Sequence, residues 1–153
     1  MYIKPDGCHV YPLPSGDKNY GFSYPVAAYT HMPPPGQNCG ADVGHAIIGG
    51  FVYRGTALPA LYGKYLFADN VTGRIFYTDA GAMQRGTSHL ATIHQVNLQD
   101  ANGNPVTVQD LLSTGGQGDP NRIDLRFGID SSGELYVVSK GNGRVYKIVG
   151  AHG

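Results

Sequence analysis

A chain of 153 residues with 11 basic and 11 acidic side chains, and no run of either sign, carries no electrostatic footprint for nucleic acid or an anionic membrane surface. Its 23 Gly, 10 Pro and 11 Tyr against only 14% charged residues describe many short strands and tight turns, which argues against a helical bundle. No apolar stretch approaches the roughly 18 to 20 residues that span a bilayer, and the opening MYIKPDG lacks the apolar part of a signal peptide, so a soluble chain is expected.

Residues 1–23 are loop-rich and hold Cys8; Cys39 follows in a second Gly- and Pro-rich stretch. A disulfide between them would close a loop of about 30 residues and place the protein in an extracellular or periplasmic setting. Two free thiols in a cytosolic protein are the alternative. A first strand is expected at 24–29 (YPVAAY), followed by 46–53 (AIIGGFVY), 65–68 (YLFA), 74–78 (RIFYT) and 91–98 (ATIHQVNL). The chain then turns back through Asp100 to Asn104. That turn imitates the start of a calcium loop, but Pro105 and Leu111 stand where the loop needs Gly and Glu. Further strands are expected at 123–129 (IDLRFGI), 135–138 (LYVV) and 144–148 (RVYKI), before a short tail at 150–153.

Two of these segments are copies of one unit. GKYLFADNVTGRIF at 63–76 and GELYVVSKGNGRVY at 133–146 align without gaps at an offset of 70 residues, with Gly, Gly-Arg, aliphatic and aromatic positions in register. Each copy is strand, tight turn, strand, preceded by an apolar strand, and the first copy is followed by a fourth. Apolar residues at neighbouring positions, as in Tyr65-Leu66-Phe67-Ala68, suit sheets covered on both faces. The fold expected is therefore all-β: residues 24–149 form two four-stranded antiparallel β-propeller blades in the strand order d, a-b-c-d, a-b-c. A stack cut in this way leaves edges and faces unpaired. The expected remedy is self-association as a C3 trimer, with segment 24–29 of one subunit completing the second blade of its neighbour and six blades in all. A truncated product that closes in another way is the rival expectation.

AIIGGFVYRG at 46–55, LPALYGKYLFADNVTGRIF at 58–76, RFGIDSSGELYVV at 126–138 and Tyr29-Thr30-His31 resemble the C-terminal part of the glucose/sorbosone dehydrogenase family. The resemblance spans roughly residues 20–149. It implies a six-bladed propeller, sugar oxidation with pyrroloquinoline quinone, and Ca²⁺ as a companion ion. Quinone-binding members carry an Arg-x-Arg-Asp sequence whose arginines meet the cofactor's carboxylates. Here the corresponding stretch holds Arg122, Asp124 and Arg126, with the arginines four apart, and the resemblance makes these residues and Lys140 the cofactor-binding candidates. Along a strand their even spacing puts them on one face, where a self-neutralising ladder is the plainer alternative. The family's catalytic His and its Arg partner belong to earlier blades.

In a propeller the d-to-a loops and b-c turns share one rim, which gathers His31, Asp42 and His45, then Asn121, Arg122 and Asp124, then Asp69, Asn70, Lys140 and Asn142. His45 and His31 are the candidate bases, and His45 with Asp42 the candidate metal ligands. Three copies of His45 around an axis would suit a transition metal. A loop histidine bonded to backbone is the bland counterpart. Asn70-Val71-Thr72 is a glycosylation sequon on a tight turn. Two functions stay open: a quinone-dependent sugar oxidoreductase or its remnant, and a non-catalytic module that binds a sugar, polysaccharide or metal.

Overall fold

The computed structural model describes residues 16–21, 23–31, 43–86, 89–113 and 123–150. Cys8, Cys39, Asp42 and Arg122 lie outside these residues, as does the side chain of His31.

The first copy of the repeat is a four-stranded antiparallel meander of β3 (Ile47–Ile48), β4 (Lys64–Asp69), β5 (Ile75–Asp79) and β6 (His94–Val96), preceded by β1 (Thr30–His31) and β2 (Val43–Gly44), which pair in parallel. Gly49 and Gly50 interrupt β3. Its contacts with β4 resume beyond them, where Leu66 N donates to Phe51 O at 2.9 Å and Tyr53 N to Lys64 O at 2.9 Å. Gly50 is there because the chains run too close for a side chain: a Cβ would stand 2.0 Å from Leu66 O.

After β6 a small hairpin, β7 (Leu98–Gln99) and β8 (Pro105–Val106), turns on Asp100, whose Oδ1 accepts from Asn102 N and Asn104 N at 2.8 and 2.9 Å. The acidic stretch is thus an Asx turn, as its residues predict. Helix α1 (Val108–Ser113) follows, an element the strand periodicity does not anticipate. Its signal is local: Asp110 N donates to Thr107 Oγ1 at 3.1 Å and Thr107 N to Asp110 Oδ2 at 2.7 Å, a reciprocal cap written as Thr-x-x-Asp. The second copy is a three-stranded antiparallel sheet of β9 (Leu125–Ile129), β10 (Leu135–Ser139) and β11 (Arg144–Lys147).

Residues 24–29 form no strand, against expectation. They bend at Val26-Ala27, and the Val26 carbonyl accepts from Ala91 N at 2.8 Å. An extended segment that pairs in no ladder with the described residues lacks what makes a strand.

The core lies between the two sheets. Leu66, Ala68 and Ile75 from the first meet Leu125, Leu135 and Val137 from the second, with Val108 and Leu112 of α1, Ile123, Tyr53, Leu58 and Leu61 closing the cluster. The faces used are not equivalent. Leu66, Ala68 and Ile75 correspond through the 70-residue offset to Tyr136, Val138 and Val145, which leave the opposite face of the second sheet from the buried Leu135 and Val137. The units therefore stack head to tail, not about a two-fold axis. The far face of the first sheet, with Phe67 and Phe76 in ring contact at 5.6 Å, is covered by Tyr29, whose ring lies 5.5 Å from Phe76.

Candidate functional site

One end of the stack collects the turns between β4 and β5 and between β10 and β11. Both make the same join to the strand beside them. Asn70 N donates to Ala46 O at 2.7 Å, and its counterpart Lys140 N to Asp124 O at 3.2 Å. The two joins are neighbours. Gly73 has φ +71° and passes so near the second unit that a Cβ would meet Ile123 Cδ1 at 3.0 Å and Val108 Cβ at 3.1 Å. His45 and Asp69 from one unit thus lie at the same end as Asp124, Lys140 and Asn142 from the other.

Asp69 organises the first join. Its side chain is fully buried and takes six donors: Tyr29 OH (3.1 Å), His45 N and Ala46 N (2.9 Å) on Oδ2, and Val71 N (3.0 Å), Thr72 N (2.7 Å) and Thr72 Oγ1 (3.0 Å) on Oδ1. Burial pushes its pKa up, but the bonds from Thr72, His45 and Ala46 outweigh burial and hold the carboxyl well below the usual carboxylate range. Burial pushes the Tyr29 phenol up, and the adjacent Asp69 charge and hydrogen bond add to it. An ionised carboxylate whose lone pairs are all engaged serves as a staple between turn and loop. His45 reaches it through its backbone, half-buried, as a loop histidine does.

A second buried carboxylate ties the units together at the opposite end. Glu134 accepts from Tyr53 OH at 2.6 Å, Thr56 N at 2.9 Å and Ala57 N at 3.1 Å, while Tyr53 OH accepts from Leu58 N at 2.9 Å. The bond from Tyr53 holds Glu134 below its ordinary pKa, and burial, then that same bond, pushes Tyr53 up. Glu134 corresponds to Lys64 in the first copy, so the difference between the copies marks the joint. The signal in the sequence is a break in charge, Lys64 against Glu134, between two otherwise similar copies.

Between Asp124 and Arg126 the evenly spaced extended run is interrupted. Asp124 has φ +44°, alone among the described non-glycine residues, and β9 begins only at Leu125. This left-handed residue breaks the extended run that even spacing assumed. Arg126, paired in register with Val138, stands exposed on the outer face of the sheet, and its Nη1 donates to Leu125 O at 2.6 Å. Lys140 is exposed on its turn. Neither Arg126 nor Lys140 lines the cleft of about 320 Å³ found at the other end, which is bordered by Lys64, Tyr77, Thr78, Asp79, Ala82, Thr92 and His94. That cleft's charges meet each other, with Lys64 Nζ 2.8 Å from Asp79 Oδ2, and the Tyr77 and His94 rings stack at 5.0 Å.

Among the described residues no three His, Cys, Asp or Glu side chains converge as a metal site, and Asp69 has no lone pair to spare. The described residues therefore do not fit Ca²⁺ as a resident ion. Nor do Arg126 and Lys140, both exposed, form the enclosed pocket that a planar tricarboxylate quinone needs.

No protein-family model matches the chain, and no solved structure matches it.

Proposed function

We propose that this chain is a two-unit section of a β-propeller of the glucose/sorbosone dehydrogenase type, and that its b-c turn end is a sugar-facing rim. One observation carries the reading. The 70-residue repeat folds as two sheets stacked head to tail, with both sets of turns at one end and each turn joined to the neighbouring strand by the same backbone bond. That is the arrangement from which a ring of blades is built, and a ring gathers its turns around one opening. Two units per chain and three chains would complete six.

Within this reading the rim binds rather than reacts. Asn142 fixes the second turn, its amide donating to Tyr146 OH at 2.8 Å and accepting from Arg144 N at 3.1 Å, and the exposed Lys140 ammonium beside it is a group that can hold sugar hydroxyls. Asp69 keeps the neighbouring turn of the first unit in place. Turnover would require a base and a cofactor pocket supplied by residues beyond those described, which makes a carbohydrate-binding module the second reading. Titration with aldoses, followed by amide chemical shifts, tests the shared part. Shifts concentrated at His45, Asp124, Lys140 and Asn142 support the rim, and their absence for every aldose removes it. A dye-linked oxidation assay with added pyrroloquinoline quinone and Ca²⁺ then separates the two: sugar-dependent reduction supports the oxidoreductase, and binding without reduction supports the module.

A further inference from the structure

The outer side of the second sheet is the exposed counterpart of a surface that the first sheet buries. Ile75 is 1% exposed, whereas Val145, its partner through the repeat, is 62% exposed. Leu66 and Ala68 are fully buried, whereas their counterparts Tyr136 and Val138 are only partly covered. The edge differs in the same way. In the first unit β5 is paired along its free side by β6, through Ile75 with Val96, Phe76 with Gln95 and Tyr77 with His94. Among the described residues β11 is the edge strand of the second unit's sheet. Ile148 N bonds to Leu135 O at 3.4 Å. By the alternation of an antiparallel ladder, Tyr146 also faces β10, so Val145 and Lys147 turn their N–H and C=O groups away from it. A strand edge and a partly apolar face, both of which the same chain covers one repeat earlier, meet at Val145.

The chain also shows what kind of surface covers them. Residues just ahead of the second unit serve two sheets at once: β6 closes the first sheet, while Val96 and Leu98 pack against the core shared with the second. Residues just ahead of the first unit have half of that arrangement. Tyr29 and Val26 are fixed against the first sheet through Phe76, Asp69 and Ala91, and among the described residues no strand pairs with them in a ladder. A self-complementary pairing of two outer faces would bring the exposed Arg126 and Lys147 of each copy against their like, which disfavours it.

We infer that the β11 edge and the outer face around Val145 are the docking surface for a second copy of this chain, which places its segment 24–29 against them. The inference rests on the blade reading above and deepens it. It turns the missing strand order at 24–29 into a consequence: the segment becomes a strand only when another copy's β11 lies beside it. The contact is heterologous, so its repetition closes a ring or runs on as a filament.

The test uses the full chain, with sedimentation over a range of concentrations and hydrogen exchange on the same samples. The expected mass is a multiple of the 16.3 kDa chain, and the Val145 and Lys147 amides exchange at least about tenfold more slowly than in dilute monomer. V145D, a charge on the open edge, returns the mass to that of one chain with an unchanged far-ultraviolet spectrum. Val71→Asp, a change at another exposed valine on the b-c turn, leaves the assembly intact. A wild-type chain that stays monomeric, or a V145D chain that assembles like wild type, overturns the inference. Should V145D not fold, fast exchange at Val145 and Lys147 in wild type at the highest concentration overturns it equally. Sugar-induced shifts at Lys140 and Asp124 are read separately, so a failed rim and a failed docking surface are told apart.

Discussion

Replacing Asp69 with Asn keeps the shape of the side chain and removes both its charge and half of its acceptor capacity. Whichever way the amide is placed, an NH₂ group faces donors. On the Oδ2 side these are His45 N, Ala46 N and Tyr29 OH; on the Oδ1 side they are Val71 N, Thr72 N and Thr72 Oγ1. The hydroxyls can rotate to accept, but two backbone N–H groups cannot. Leaving two such donors unpaired costs about 2 to 6 kcal/mol, and about 3 to 5 kcal/mol is expected, since hydrogen bonds to a charged acceptor are at the stronger end. That is a large part of the stability of a small domain. Urea unfolding at neutral pH measures it.

The pH dependence gives an independent check. Because the folded carboxyl titrates below its ordinary value, its contribution is fully present above the unfolded pKa, near pH 4. It fades as pH falls below that value toward the folded one. The gap between wild type and D69N should thus be constant from pH 7 to about pH 5 and shrink in more acidic solution. A loss below about 1 kcal/mol, or a gap that does not change between neutral and acidic pH, would refute the staple argument.

Glu134→Gln replaces the acceptor of Tyr53 OH, Thr56 N and Ala57 N. It should lower the melting temperature at neutral pH while leaving each sheet's secondary structure in place, because it severs the joint between units. Circular dichroism melts, with near- and far-ultraviolet bands followed together, would show one sharp transition if the joint were idle. Gly50→Ala should destabilise by about 3 kcal/mol or more, since backbone must move to admit a Cβ that close to Leu66 O. Denaturation equal to wild type within error would mean that the approach of the two strands is looser than the structure has it.

The repeat was legible in the sequence because glycines at 63, 73, 133 and 143, all with positive φ, fall where tight turns need them and the aliphatic and aromatic positions keep step between. Those local signals fixed seven strands in their meander order, and the Asx turn at Asp100. The short helix at Val108 had a readable cap that the strand periodicity overshadowed. What the sequence could not determine was which face of each unit is buried. Tyr65-Leu66-Phe67-Ala68 and Leu135-Tyr136-Val137-Val138 are apolar at every position, so alternation is silent, and only the packing of one sheet on the other decides that Leu66 faces Leu135. The same holds for the candidate site. Asp69 and Glu134 look like any carboxylate in a polar turn: the bonds to Asp69 from Val71 and Thr72 are local, but its other donors lie 23 to 40 positions away and those of Glu134 lie 77 to 81 away. Such distant partners meet only in the tertiary structure, around the first unit for Asp69 and across the two units for Glu134, since a hydrogen bond between distant segments is set by tertiary geometry and leaves no periodic trace in the chain.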